Sequence, residues 1–247
     1  MYSQPGYESL LLYSDQMNIA GHIAVAQAFS GSRGGSSDDH ALVLLGSALP
    51  DICNIAQVRL QNRSTSEHVQ YGIELHHQTD DAFHAHRWFR DLMAETMDKL
   101  TQHGVRRGPA RACAHIGPEL LLDGALTAQR ALMKICEEAF ASISNSMPLL
   151  TPMVADADQE AWARTLTRLH DAKRPLDYRD PDTVADRMER ILRNRPRLSL
   201  DKSEVEPVTK ALRAMLPTIE TDANWLIADL QQVVAGDTAG KLPHADA

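Results

Sequence analysis

Residues 76–86 read His-His-Gln-Thr-Asp-Asp-Ala-Phe-His-Ala-His, placing four of the chain's eleven histidines and two aspartates in one short segment. In a helix, positions four apart stack on one face. His76, Asp80 and His84 then share one stripe, and His77 and Asp81 line the next. Imidazole and carboxylate are the ligand set of zinc, manganese and iron, so the stripe points to a metal site. Ile73, Leu75 and Phe83 make the helix partly buried. Buried imidazoles and carboxylates need partners, and a metal supplies one. His77 and His86 read as supporting or surface members of the cluster.

Three other segments carry groups of the same kind. His22 sits in the apolar run NIAGHIAVAQAF, as a ligand or as a core histidine bonded to backbone. Asp51 follows Pro50 after an apolar stretch, as a ligand or as a helix N-cap. His115, Glu119 and Asp123 are again spaced by four, although Gly117-Pro118 is expected to disturb their register. Asp123 lies inside LLLDGAL, where an unpaired carboxylate is costly.

The elements that must hold these groups read as helices. Periodicity starts at Met17, and SGSRGGSSDD (30–39) reads as a flexible loop. A helix over about 40–60 is kinked or interrupted at Pro50. Ser66-Glu67 begins the helix of the histidine cluster. Another spans about 86–103 and stops at Gly104. Residues 107–145 read as helical with a break at Gly117-Pro118, and Met147 to Ala157 as a proline-bearing connector. Helices are expected over 158–171, with Trp162 and Leu166 inward, and from Asp180 to about 194. A last one spans roughly 202–235, bent at Pro217, before a frayed tail at 236–247. The expected class is all-α: an extension over 1–16, one domain over 17–235, and the tail.

Composition agrees with that class and excludes others. Hydrophobic residues make up 43% and aromatics only 5%, which favours helix over sheet. A net charge of -8 argues against nucleic acid, whose phosphates need a basic field. Cys53, Cys113 and Cys136 share no C-x-x-C spacing and suggest a reducing compartment. No apolar run reaches the ~20 residues of a membrane helix, and no leader pattern opens the chain. A cytoplasmic protein without a membrane partner is the expectation.

The ordered set of motifs resembles the acyl carrier protein phosphodiesterases, helical proteins related to the HD-domain phosphohydrolases. Met17-Asn18-Ile19-Ala20-Gly21-His22 is similar to the family's Met-Asn-Phe-Leu-Ala-His segment. Gly46 to Ile52 resembles its Gly-Asn-Leu-Leu-x-Asp-Phe stretch. Gly72 to His76, with Asp80 and His86, resembles its Gly-Ile-x-x-His pattern; Glu119 and Asp123 resemble its later carboxylates, and Arg195 to Leu198 its C-terminal motif. The resemblance runs over about residues 17–230. Three positions depart from it: His77 replaces an arginine, His84 an aspartate and Gly124 a histidine. It also implies that Met17 is the ancestral start.

The resemblance implies an HD-domain-like helical bundle with additional C-terminal helices. It implies one or two divalent ions, Mn2+ foremost with Zn2+, Fe2+ or Mg2+ as alternatives, held by His22, Asp51, His76, Asp80 and Asp123, with His84 added. Asp80 is also expected to act in catalysis, and His86 or His115 to protonate the leaving oxygen. The implied bond joins 4'-phosphopantetheine to a serine of an acyl carrier protein or other carrier domain. Carrier proteins are acidic, and Arg190, Arg193 and Arg197, in a run with Arg187 and Arg195 broken only by Glu189, are the candidate docking patch. Two alternatives stand beside this reading: hydrolysis of a small phosphate ester or nucleotide, and a non-catalytic metal-stabilised helical binding protein.

Overall fold

A helix that is apolar on nearly all sides is stable only inside a bundle. Helix α1 (Ile19–Ser30) is such a helix, with residues 19–26 buried, His22 among them. Around it pack α2 (Ser37–Ala56), α3 (Glu67–Ala85), α5 (Arg107–Thr127), α6 (Arg130–Ala141) and α10 (Lys202–Ala239). Helices α4 (Arg87–Gln102), α7 (Ile143–Leu150), α8 (Gln159–Asp171) and α9 (Pro181–Leu192) complete the order. The computed structural model describes residues 19–31, 35–172 and 178–239. Among these there is no β-strand, only an isolated antiparallel bridge between Leu60 and Val154. The all-α expectation holds. No helix among the described residues is long and apolar enough to cross a membrane.

The most extensive helix pair is α2 against α3, and two glycines set its closeness. A Cβ on Gly46 would lie 2.4 Å from the Val69 carbonyl oxygen, and one on Gly72 would lie 2.2 Å from that of Val43. Neither position admits a side chain without moving backbone. Helix α2 starts earlier than expected because Ser36 and Asp39 form a capping box, with reciprocal bonds of 3.3 and 2.8 Å. The expected loop is shortened to that extent. Pro50 lies inside α2 and does not end it.

Helix α5 corrects a second expectation: it runs unbroken through Gly117-Pro118. The break comes instead at Ala128-Gln129, before α6. The expected connector after Met147 is also partly helical, since α7 reaches Leu150 and short 3-10 turns follow at Thr151–Met153 and Asp156–Asp158. Trp162 and Leu166 are buried as expected, and the Trp162 indole N–H donates to the Leu150 carbonyl at 3.0 Å. Asp180 caps α9, accepting from the Asp182 N–H at 3.2 Å.

Helix α10 passes Pro207 and Pro217 and continues to Ala239, past the expected start of a tail. Its first turn is clipped to the start of α5. Buried Glu204 accepts from the Arg106 backbone N–H (2.7 Å), Nε (3.0 Å) and Nη2 (2.8 Å). The expectations for residues 1–16, for Met17-Asn18 and for 240–247 lie outside the described residues.

Candidate metal centre

The stripe expected on one helix exists on α3, and its two ends join different groups. At one end, His76 meets His22 of α1 and Asp51 of α2, one ligand atom from each lying within 4.8 Å of the others. All three are almost fully buried, at 3%, 3% and 2% exposure respectively. The Gly46–Gly72 approach explains the meeting, because Asp51 and His76 follow these glycines by about one turn.

His76 Nδ1 lies 2.9 Å from the Ser47 carbonyl oxygen, which can only accept. The proton therefore sits on Nδ1, and Nε2 presents a lone pair. Pro50, inside the same helix, has no N–H for the Gly46 carbonyl. Burial lowers His22 to about 4 and drives His76 well below its ordinary value. Both are thus neutral, the form that binds metal. Their tilted rings have centroids 3.9 Å apart, a closeness that two imidazolium cations would oppose. His22 Nε2 and Asp51 Oδ2 are 3.7 Å apart, too long for a hydrogen bond. With His22 neutral the contact is not an ion pair either. The spacing is nearer the ~3.4 Å between ligands around a tetrahedral ion with bonds of ~2.1 Å. His22 Nδ1 is buried with no hydrogen-bond partner.

At the other end of the stripe, His84 of α3 meets His115 and Glu119 of α5. The three converging atoms form a nearly equilateral triangle. His84 Nε2 is 3.2 Å from His115 Nε2 and 3.2 Å from Glu119 Oε1, and His115 Nε2 is 3.1 Å from the same oxygen. At most one proton can lie between two ring nitrogens that face each other. A divalent ion with bonds of ~2.1 Å accommodates all three atoms at this spacing. Behind the ring, His84 Nδ1 is 3.2 Å from Asp80 Oδ1, so Asp80 fixes the tautomer that turns Nε2 inward. Phe89 meets both imidazoles edge-on, each at a centroid distance of 5.3 Å.

This second group attracts positive charge. Burial lowers the His84 pKa, but its bonds to Asp80 and Glu119 outweigh burial and raise it to about 10. Burial raises Asp80, and the bond to His84 outweighs it, holding Asp80 at about 2. Burial likewise raises Glu119, and the adjacent His115 and His84 bring it below its ordinary value. A proton thus sits where a cation is favoured. Glu119 Oε2 is buried and has no hydrogen-bond partner. Glu119 and Asp51 each directly follow a proline inside a helix, Pro118 and Pro50.

The remaining candidates lie elsewhere. Asp80 stands behind His84 and belongs to neither converging trio. Asp123 is fully buried, and its Oδ1 accepts the Gly21 N–H at 3.1 Å, at the positive end of α1. Burial pushes its carboxyl well above the usual range. His86 caps α4 by accepting the Trp88 N–H at 3.1 Å, and its Nε2 lies 3.1 Å from Asp229 of α10. His77 and Asp81 are exposed. Arg190, Arg193 and Arg197 are exposed, and Arg193 pairs with Glu189 at 3.5 Å. Gly124 lies under the chain at Tyr178, whose carbonyl oxygen would be 2.3 Å from a Cβ there. A side chain at position 124 would therefore meet backbone.

Sequence reasoning gave Glu119 no ligand role, although its four-residue spacing from His115 carried the signal. Ser47 and Phe89 gave none, since a backbone carbonyl and a phenyl ring show their roles only after the helices pack. Comparison of the chain with models of protein families, with curated proteins and with solved structures finds no match.

Proposed function

We propose that the chain is a metal-dependent phosphoric-ester hydrolase whose chemistry takes place at His84, His115 and Glu119. The convergence of three ligand atoms at 3.1–3.2 Å, on a buried Glu119 and two histidines that are partly open to solvent, carries this reading. A divalent ion there, with Mn2+ the first candidate, supplies a water of lowered pKa and offsets charge on phosphoryl oxygens.

The chain's own groups do the rest. His84 and His115 are 25% and 19% exposed, so a phosphoryl group arriving from solvent meets their edges. Asp80 holds the His84 ring in one orientation and one tautomer. Phe89, buried beneath both rings, keeps water from their far side. His115 becomes a holder of the ion in this reading, not the proton donor expected from sequence.

The ester is the phosphodiester between 4'-phosphopantetheine and a carrier-protein serine, and the bundle is HD-domain-like. The ordered motifs from His22 to Arg197 support both parts of this reading. Exposed Arg190, Arg193 and Arg197 suit an acidic carrier protein. One observation favours a small phosphoester instead: at Gly124 the family's histidine has no room. Another favours a non-catalytic, metal-stabilised protein, namely the closure of the His22 group from solvent.

The deciding experiment strips the protein with chelator, restores Mn2+, and compares turnover of phosphopantetheinylated carrier protein with a panel of small phosphoesters. Release of phosphopantetheine that falls steeply with salt is expected. Turnover of the small esters alone would sink the carrier-protein version. Metal uptake with no turnover of any ester would sink the hydrolase.

A further inference from the structure

The two trios have the same donors, two imidazoles and one carboxylate, yet differ in access. His22, Asp51 and His76 are at most 3% exposed and come from three helices packed around them. His84 and His115 are 25% and 19% exposed and stand on two helices. Sites that work as catalysts keep an open position, and sites that hold a fold together are closed.

We propose that His22, Asp51 and His76 form a structural site for a borderline divalent ion such as Zn2+, retained while the ion at His84, His115 and Glu119 exchanges. Two observations beyond the donor set point there. His22 Nε2 and Asp51 Oδ2 stand 3.7 Å apart, too far for a hydrogen bond, with both side chains 3% exposed. The Ser47 carbonyl orients His76 so that its other nitrogen is left as a lone pair. Imidazole favours transition metals over Mg2+ or Ca2+. The ion ties α1 to the α2–α3 pair at the centre of the bundle, and its escape requires those helices to part. The approach of α2 and α3 at Gly46 and Gly72 leaves no slack for that near the site. The inference shares with the proposed function the premise that the histidine groups hold metal, but it requires no catalysis.

The test measures zinc per chain. The full chain is loaded with Zn2+, freed of excess, and exposed to EDTA, and the zinc remaining is followed with time by atomic spectroscopy. Release in two phases of about one ion each is expected, the second at least ~10-fold slower, because it waits on opening of the core. Glu119→Gln removes the fast phase and keeps the slow one. Asp51→Asn and His76→Gln remove the slow phase and keep the fast one. Loss of the slow ion lowers the melting temperature by roughly 5–10 °C, when free ion stands at about 100 times its Kd. Should those two variants fail to fold, biphasic release from wild type, reduced to the slow phase by Glu119→Gln, decides alone.

A single ion per chain, equal release rates, or a slow ion surviving both Asp51→Asn and His76→Gln overturns the proposal. Two ions of unequal retention with no ester turnover would sink the hydrolase and leave this site standing. Turnover with one exchangeable ion would do the reverse.

Discussion

The two ends of the α3 stripe differ most in what lies behind each histidine. His76 is steadied by a neutral carbonyl, that of Ser47, in a core that keeps it neutral. His84 is steadied by a carboxylate, Asp80, beside a second carboxylate, Glu119, and is held as a cation when no metal competes. The same donors thus make a dry recess in one place and a charged, half-open cleft eight residues further along. Ligand type alone does not say what a site does; access and the charge of the supporting groups divide retention from reaction.

The largest effect that would test this contrast is on turnover. His115→Ala or Glu119→Ala is expected to cut phosphoesterase activity by more than the ~10–100-fold seen on losing a ligand's supporting carboxylate. The circular dichroism spectrum should not change. If both variants stay active while His76→Gln is dead and folded, the roles of the two ends are reversed. Next comes Gly72→Ala, whose methyl would meet the Val43 carbonyl oxygen at 2.2 Å. Urea denaturation should show a loss of about 1–3 kcal/mol or more, with faster escape of the ion near His22. An unchanged midpoint would mean that the crossing is loose and the recess is not closed by it.

Asp80→Asn sharpens the comparison from the other side. Metal affinity at the open site should fall by roughly 10–100-fold, read by competition with a chromogenic chelator, while the slowly released ion is unaffected. If Asp80→Asn frees both ions, the stripe is one site and not two. The smallest effect is a control at the Arg106–Glu204 clip, which belongs to neither group. Glu204 has its pKa lowered from 4.5 to about 2, with its hydrogen bond from Arg106 the main cause. A lowered folded-state value means that its stabilisation is complete above 4.5 and is lost as pH falls through about 2. Glu204→Gln should remove that part of the acid dependence whether or not metal is bound. A metal-dependent change would mean that the clip and the ion sites are coupled.

Much of this site was legible in the spacing of single helices. The four-residue steps His76–Asp80–His84 and His115–Glu119 are real faces of α3 and α5. From sequence, Pro118 is expected to disturb that second face. Yet a proline in a helix removes one hydrogen bond without ending the helix when tertiary packing holds both sides. What spacing could not carry was depth and partnership. Asp123 shares the periodicity of His115 and Glu119, but one more turn brings it to the first turn of α1, where its Oδ1 accepts the Gly21 N–H. Asp80 looked like a ligand because it lies between two histidines. Only the packing of α5 shows that it serves one of them from behind. The helices themselves were readable from apolar periodicity, and the capping box at Ser36 was the local signal that would have placed the start of α2.

The approach at Gly46 and Gly72 has a consequence for how this molecule can vary. In a saturation scan scored by activity or abundance, these two positions should tolerate almost nothing, and so imitate active-site residues although neither offers a donor atom. Exchanges at exposed His77 or Asp81, inside the histidine-rich segment itself, should pass nearly unnoticed. Such a map would trace a helix crossing before it traced any chemistry, and the two silent glycines would be its strongest marks.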